Sequence, residues 1–180
     1  MSERKKHDFY REYLNDFKRN ATGEYVYCGK VYSFEGNKAE KKSFIIKTVV
    51  LSVLCLLFSV LPECLSPTDM SRSFATIIPW GTELVAVLLS VWAAGRMIIR
   101  FNELREYIYK KTVLRLPKLL AAGSIFSAVT FVAQLIYACV NGISGEWHLT
   151  IIRILSSAVA AVASFIFYRV MISVKFAVKS

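Results

Sequence analysis

Three polar residues stand inside long apolar runs of this chain: Glu83, Gln134 and Arg153. In hydrocarbon such side chains are costly, so each needs a partner or a function. Glu83 lies roughly two turns inside the outer end of one apolar run, and Arg153 about one turn inside the outer end of another. Their similar depth and opposite sign suggest a pair lining an outward cavity. The plainer alternatives are Arg153 snorkelling to headgroups and Glu83 lying under the outer loop. A Glu83–Arg153 pair could also serve only to fix helix register. Gln134 falls near the centre of its run, where an amide bonds to a neighbouring helix. A solute contact is the sharper reading of the same residue.

Other chemistry is sparse. The two histidines, His7 and His148, fall at opposite ends of the expected topology, which leaves no Cys/His zinc spacing and no Ser-His pair. No glycine-rich phosphate loop and no close carboxylate pair within a span occurs. We therefore expect no enzyme, no cofactor and no metal. Cys64 and Cys139 both fall near the outer ends, where an oxidising exterior would allow a disulfide.

These residues sit in a chain of 180 residues that is 55% hydrophobic. A bilayer crossing takes ~20 apolar residues at about 1.5 Å each. Four blocks meet that length, at about 44–62, 74–100, 117–140 and 149–174. The expected fold is an all-α membrane protein, a four-transmembrane-helix bundle. A soluble enzyme, a secreted disulfide scaffold and a disordered chain are excluded. The 23 Lys and Arg against 13 Asp and Glu give a net charge of +10. The basic residues gather in residues 1–47, in 100–118 and at the C-terminal end, whereas the outer end holds only Arg72 and Arg153. The positive-inside rule then places both termini and the 100–118 connection in the cytoplasm of a cell membrane. It also accounts for the basic charge without nucleic acid.

The polar segment 1–43 has its own pattern. Phe9, Tyr13 and Phe17 recur at helical spacing, which predicts a short amphipathic helix over 3–19 with Gly23 as its stop. Residues 24–35 are rich in aromatic and β-branched types around Gly29, which predicts a β-hairpin turning there. Asn37 to Lys42 read as a polar linker. The second span reads as continuing past Arg100 towards Lys111 as helix, and Pro117 suits the first turn of the third. Trp80 and Trp147 suit interface anchoring, and Trp92 suits packing.

Small residues repeat at four: Ala86, Ser90 and Ala94; Gly123 and Ser127; Ser156, Ala160 and Ser164. Such faces permit close helix approach, within the chain or against a partner. The 156–164 face is the broadest and is the expected interface. Two function classes follow. The first is a non-enzymatic accessory or assembly subunit, docked on a larger transporter or other membrane complex. The second is a small solute or ion transporter or channel acting as a homo-oligomer, with Glu83, Gln134 and Arg153 facing one hydrated cavity.

Overall fold

A computed structural model describes residues 17–20, 23–65, 68–101, 104–142 and 147–178. Helix α1 (Lys38–Cys64) starts inside the expected linker because Asn37 caps it. The Asn37 side chain accepts from the Glu40 amide at 2.8 Å, and Glu40 Oε2 accepts from the Asn37 amide at 3.1 Å. This reciprocal cap satisfies two end amides at once. The helix also runs past Pro62 to Cys64, so Pro62 is absorbed in the last turn and does not end the element. A short helix α2 (Asp69–Arg72) precedes α3 (Phe74–Ile99), and the Thr76 hydroxyl bonds to the Met70 carbonyl to tie them together. Pro117 occupies the first turn of α5 (Leu116–Asn141), and α6 (Trp147–Ser173) completes the set. Helices α1, α3, α5 and α6 are each long and apolar enough to cross a membrane. They close a ring in which α1 and α5 each pack on both α3 and α6.

The ring is inverted relative to a water-soluble bundle. On α1 the buried positions are Phe44, Thr48, Ser52, Cys55, Ser59 and Pro62, whereas Ile46, Val49, Val50, Val53, Leu57 and Leu61 point outwards. Helices α3 and α6 repeat this, with Ala, Ser and Thr the commonest residues inside, and α5 buries Gly123, Ser127 and Thr130 beside Leu116 and Leu120, while large aliphatics lie outside on all three. A continuous apolar exterior suits hydrocarbon rather than water. Inside, side chains this small let backbones approach closely, which supplies the van der Waals contact that drives helix association in lipid.

The strands gather at one end, here the sheet end. Strand β3 (Val31–Phe34) pairs antiparallel with β4 (Leu104–Arg105) on one side and β5 (Phe176–Val178) on the other. A separate ribbon joins β1 (Phe17–Arg19) to β2 (Tyr25–Tyr27), with Gly23 (φ 86°) in its turn. Two expectations change here. The helix over 3–19 falls mostly outside the described residues, and its final turn is β1. The hairpin over 24–35 does not close at Gly29: its first half pairs backwards with β1 and its second half joins the three-stranded sheet. Burial explains the difference. Phe34 and Phe176 pack with Phe44 and Phe101 at centroid distances of 5.6–6.2 Å, and Tyr32 stacks on Tyr109 at 4.0 Å. An isolated hairpin would bury none of these rings.

The same cluster ends α3. The expected continuation towards Lys111 is broken at Arg100. Phe101 folds back into the aromatic cluster and Leu104 is fully buried, so that α4 (Glu106–Lys111) is a separate helix. The Glu106 amide donates to the Lys30 carbonyl at 3.0 Å, which seats the start of α4 beside the β2–β3 connection.

Candidate functional site

The interior changes character along its length. Near the sheet it is apolar, built from Phe44, Met97, Leu116, Leu120, Phe167 and Met171. Near the opposite end, where the helices are joined by short loops, it is polar. Glu83 lies nine residues inside the start of α3, about 13 Å along the axis, and Arg153 six residues inside α6, about 9 Å. Each is only 1% exposed. These are the most thoroughly buried ionisable side chains among the described residues.

They do not pair. Arg153 Nη1 donates to Glu63 Oε1 at 2.5 Å. Glu63 reaches Arg153 because α1 continues through Pro62, which carries that carboxylate into the last helical turn instead of the loop. Its side chain is 27% exposed, so the pair runs from the protein interior to the loop surface. Glu83 bonds instead to Ser59, whose Oγ donates to Glu83 Oε1 at 2.9 Å. The Ser59 carbonyl accepts from Trp80 Nε1 at 2.8 Å, so one residue of α1 holds two residues of α3. The hydroxyls of Ser127 and Thr130 on α5 also stand beside the Glu83 carboxyl.

Gln134 lies seven residues from the end of α5, in the loop-end half rather than near the centre. Its Oε1 accepts from Ser157 Oγ at 2.8 Å, a bond between α5 and α6. Gln134 and Arg153 line one small cavity with Glu63, Thr76 and Trp80, of about 10 Å³, room for about one water. Glu83 is not among the residues lining it. The polar groups of this end therefore form one cluster of Glu63, Arg153, Gln134 and Ser157, and beside it a second of Ser59, Glu83 and Trp80. Chemically, both clusters lock helices together.

The small faces all turn inwards. Ser156, Ala160 and Ser164 are buried within the chain's own ring, as are Ala86, Ser90, Ala94, Gly123 and Ser127. Ser164 Oγ stands 3.5 Å from Cys55 Sγ, across the α1–α6 contact. The expected external interface at 156–164 is thus internal packing, because α6 meets both α1 and α5 along that face. The tryptophan assignments also change. Trp80 is the packing residue, whereas Trp92 is 58% exposed on the outside with the Arg96 guanidinium 4.8 Å from its ring. Cys64 and Cys139 are both exposed free thiols, so the disulfide that an oxidising exterior would allow is not formed here. Sequence reading missed Glu63 and Ser59. The only signal for Glu63 was its acidic type beside an apolar run, and Pro62 masked it.

No family profile, curated protein or solved structure matches this chain.

Proposed function

We propose that the protein is a non-enzymatic subunit of a larger membrane assembly. Its four helices would anchor it in a cell membrane, and its sheet end, on the cytoplasmic side by the positive-inside rule, would carry the docking surface. The observation that supports this most is the convergence of three distant chain segments on one sheet, beside a two-stranded ribbon. The ribbon's Phe17 and Tyr27 lie under the Arg105 guanidinium, at 5.8 and 5.1 Å. The ribbon leaves a side chain open on each face, with Tyr25 74% exposed and Val26 43% exposed. Unpaired strand edges of this kind accept a strand from a partner. The test is a photo-crosslinking residue at position 25, in cells at native expression, with a second probe at exposed Val140 as control. The expected result is a stoichiometric adduct with one membrane protein from position 25. That adduct is lost when Val26, beside the probe, is changed to Asp, while the chain stays monodisperse. Adducts only with further copies of the same chain would refute the reading.

A second reading, an oligomeric solute or ion transporter, is favoured by the burial of the Glu83 carboxyl among α1, α3 and α5. It requires flux in proteoliposomes that Glu83→Gln abolishes without changing the oligomer. Wild-type vesicles without flux would refute it.

A further inference from the structure

A groove of about 520 Å³ opens at the sheet end, between the start of α1 and the end of α6. One wall is apolar, formed by Phe44, Val170 and Val174. The rest carries two basic residues, Lys47 and Lys175, and two acidic ones, Glu35 and Glu40. Lys47, Lys175 and Glu35 are exposed, and none has an ion-pair partner among the described residues. The Lys175 carbonyl accepts from the Glu35 amide at 3.1 Å, so the backbone fixes these opposite charges side by side. The Asn37 cap uses only Oε2 of Glu40.

The charges are also ordered along the bundle. Lys47 lies within the apolar run that begins at Phe44, about 10 Å further along α1 than Glu40. Along α1 the basic charge is therefore deeper than the acidic one, while Lys175 and Glu35 stand level with each other at the sheet end of the groove. A phospholipid with an amine headgroup has the complementary order, with phosphate next to the hydrocarbon and ammonium beyond it. We propose that this groove binds the headgroup of an amine-bearing phospholipid of the phosphatidylethanolamine class. Its phosphate lies against Lys47 and Lys175, its ammonium faces Glu35 and Glu40, and its acyl chains leave along Phe44, Val170 and Val174. An anionic headgroup such as phosphatidylglycerol would offer the carboxylates hydroxyls but no cation. A choline headgroup has no N–H to offer them. Free phosphate would leave the apolar wall uncovered. The inference rests on membrane insertion but not on the subunit reading, and the crosslinking result does not bear on it.

The test uses the full chain in nanodiscs of equimolar phosphatidylethanolamine, phosphatidylcholine and phosphatidylglycerol, released into mild detergent for native mass spectrometry. The expected result is retention of one phosphatidylethanolamine per chain in preference to the other two. Lys47→Gln with Lys175→Gln should weaken that retention about ten- to a hundredfold, the effect of losing charge-assisted contacts. Glu35→Gln should bring phosphatidylethanolamine and phosphatidylcholine closer together. Equal retention of phosphatidylcholine, or preference for phosphatidylglycerol, overturns the proposal. So does displacement of the lipid by millimolar inorganic phosphate. The lipid competition on the unmodified chain decides the matter even if a variant fails to fold.

Discussion

Replacing Ser59 with alanine isolates one hydrogen bond in the polar end of the bundle. The hydroxyl donates to Glu83 Oε1 at 2.9 Å, while the bond from Trp80 goes to the Ser59 main-chain carbonyl and survives the change. Ser59 is 2% exposed, so water does not replace the lost donor. Hydrogen bonds to charged groups contribute about 1.5–3 kcal/mol, and bonds between transmembrane helices average about 0.6 with a ceiling near 1.7. Glu83→Met replaces the carboxyl with an apolar side chain of similar length, which for a buried ionisable group is about neutral or stabilising by up to about 2 kcal/mol. The expected cycle is therefore a cost of about 1.5 kcal/mol for Ser59→Ala alone and below about 0.5 in the Glu83→Met background, a coupling near 1 kcal/mol. Equilibrium unfolding in mixed micelles by SDS titration, followed by far-ultraviolet circular dichroism, reads these values. Additive costs would refute the claim that this bond ties α1 to α3. A Glu83→Met variant less stable than Ser59→Ala would show that the carboxyl makes a contribution beyond it.

Further outcomes follow from the packing. A Cβ added at Gly123 meets nothing nearer than Ser164 Oγ at 4.0 Å, so Gly123→Ala should keep or slightly raise the unfolding midpoint, whereas Gly123→Leu should lower it by separating α5 from α6. Phe101→Ala should cost about 3–5 kcal/mol as a buried ring and open the sheet end to limited proteolysis, and Tyr25→Ala should stay within about 0.5 kcal/mol. The Lys110 hydrogen bond at 2.9 Å holds the Glu106 carboxyl below the usual carboxylate range. The pair then stabilises at neutral pH and is lost as pH falls through that lowered value. Glu106→Gln should shift stability by no more than about 0.5 kcal/mol at pH 7, as for an exposed pair, and the difference should vanish in acid melts. An impermeant maleimide on intact cells should label exposed Cys64 and Cys139 but leave Cys28 until the membrane is opened, with buried Cys55 unlabelled throughout. Labelling of Cys28 from outside would reverse the expected orientation.

The four spans were legible because a crossing is set by length and apolarity alone, and neither depends on which residue meets which. That Ala86, Gly123 and Ala160 lie on close-approach faces was legible too, since small residues mark them, but whether the neighbour was the chain's own helix or a partner was not. What stayed hidden needed tertiary partners. The α1 face of Thr48, Ser52, Cys55 and Ser59 has helical spacing but no distinctive type, so it did not stand out in an apolar run. Glu63 was lost to Pro62, which ends helices in water but is tolerated in a last turn packed by neighbours. The strand pairing was misplaced because composition marks a strand without naming its partner. Residues 31–34 pair with segments about 70 and 145 positions further on, and the rings of Phe101 and Phe176 select that pairing over the local one.

The two ends of the bundle are held by different physics, and this constrains where a partner can act. At the sheet end, aromatic rings from β3, α1, β5 and the start of the 101–105 connection interlock, so displacing one strand disturbs several segments at once. At the loop end, directional bonds join α1 to α3, α1 to α6 and α5 to α6. Between them the small faces bring all four helices together, which leaves none of those faces outside for a second protein. A partner in the bilayer would have to meet large side chains such as Leu88, Trp92 or Phe165, which lipid already solvates well. Docking there gains little from apolar burial. The exposed ribbon at the sheet end is different, because its aromatic and β-branched side chains and its strand edges lie beyond the ends of the four apolar helices. Covering them gains both apolar burial and backbone pairing. That asymmetry is why the crosslinking probe belongs at Tyr25 rather than on the helix 156–164, where sequence alone had placed the interface.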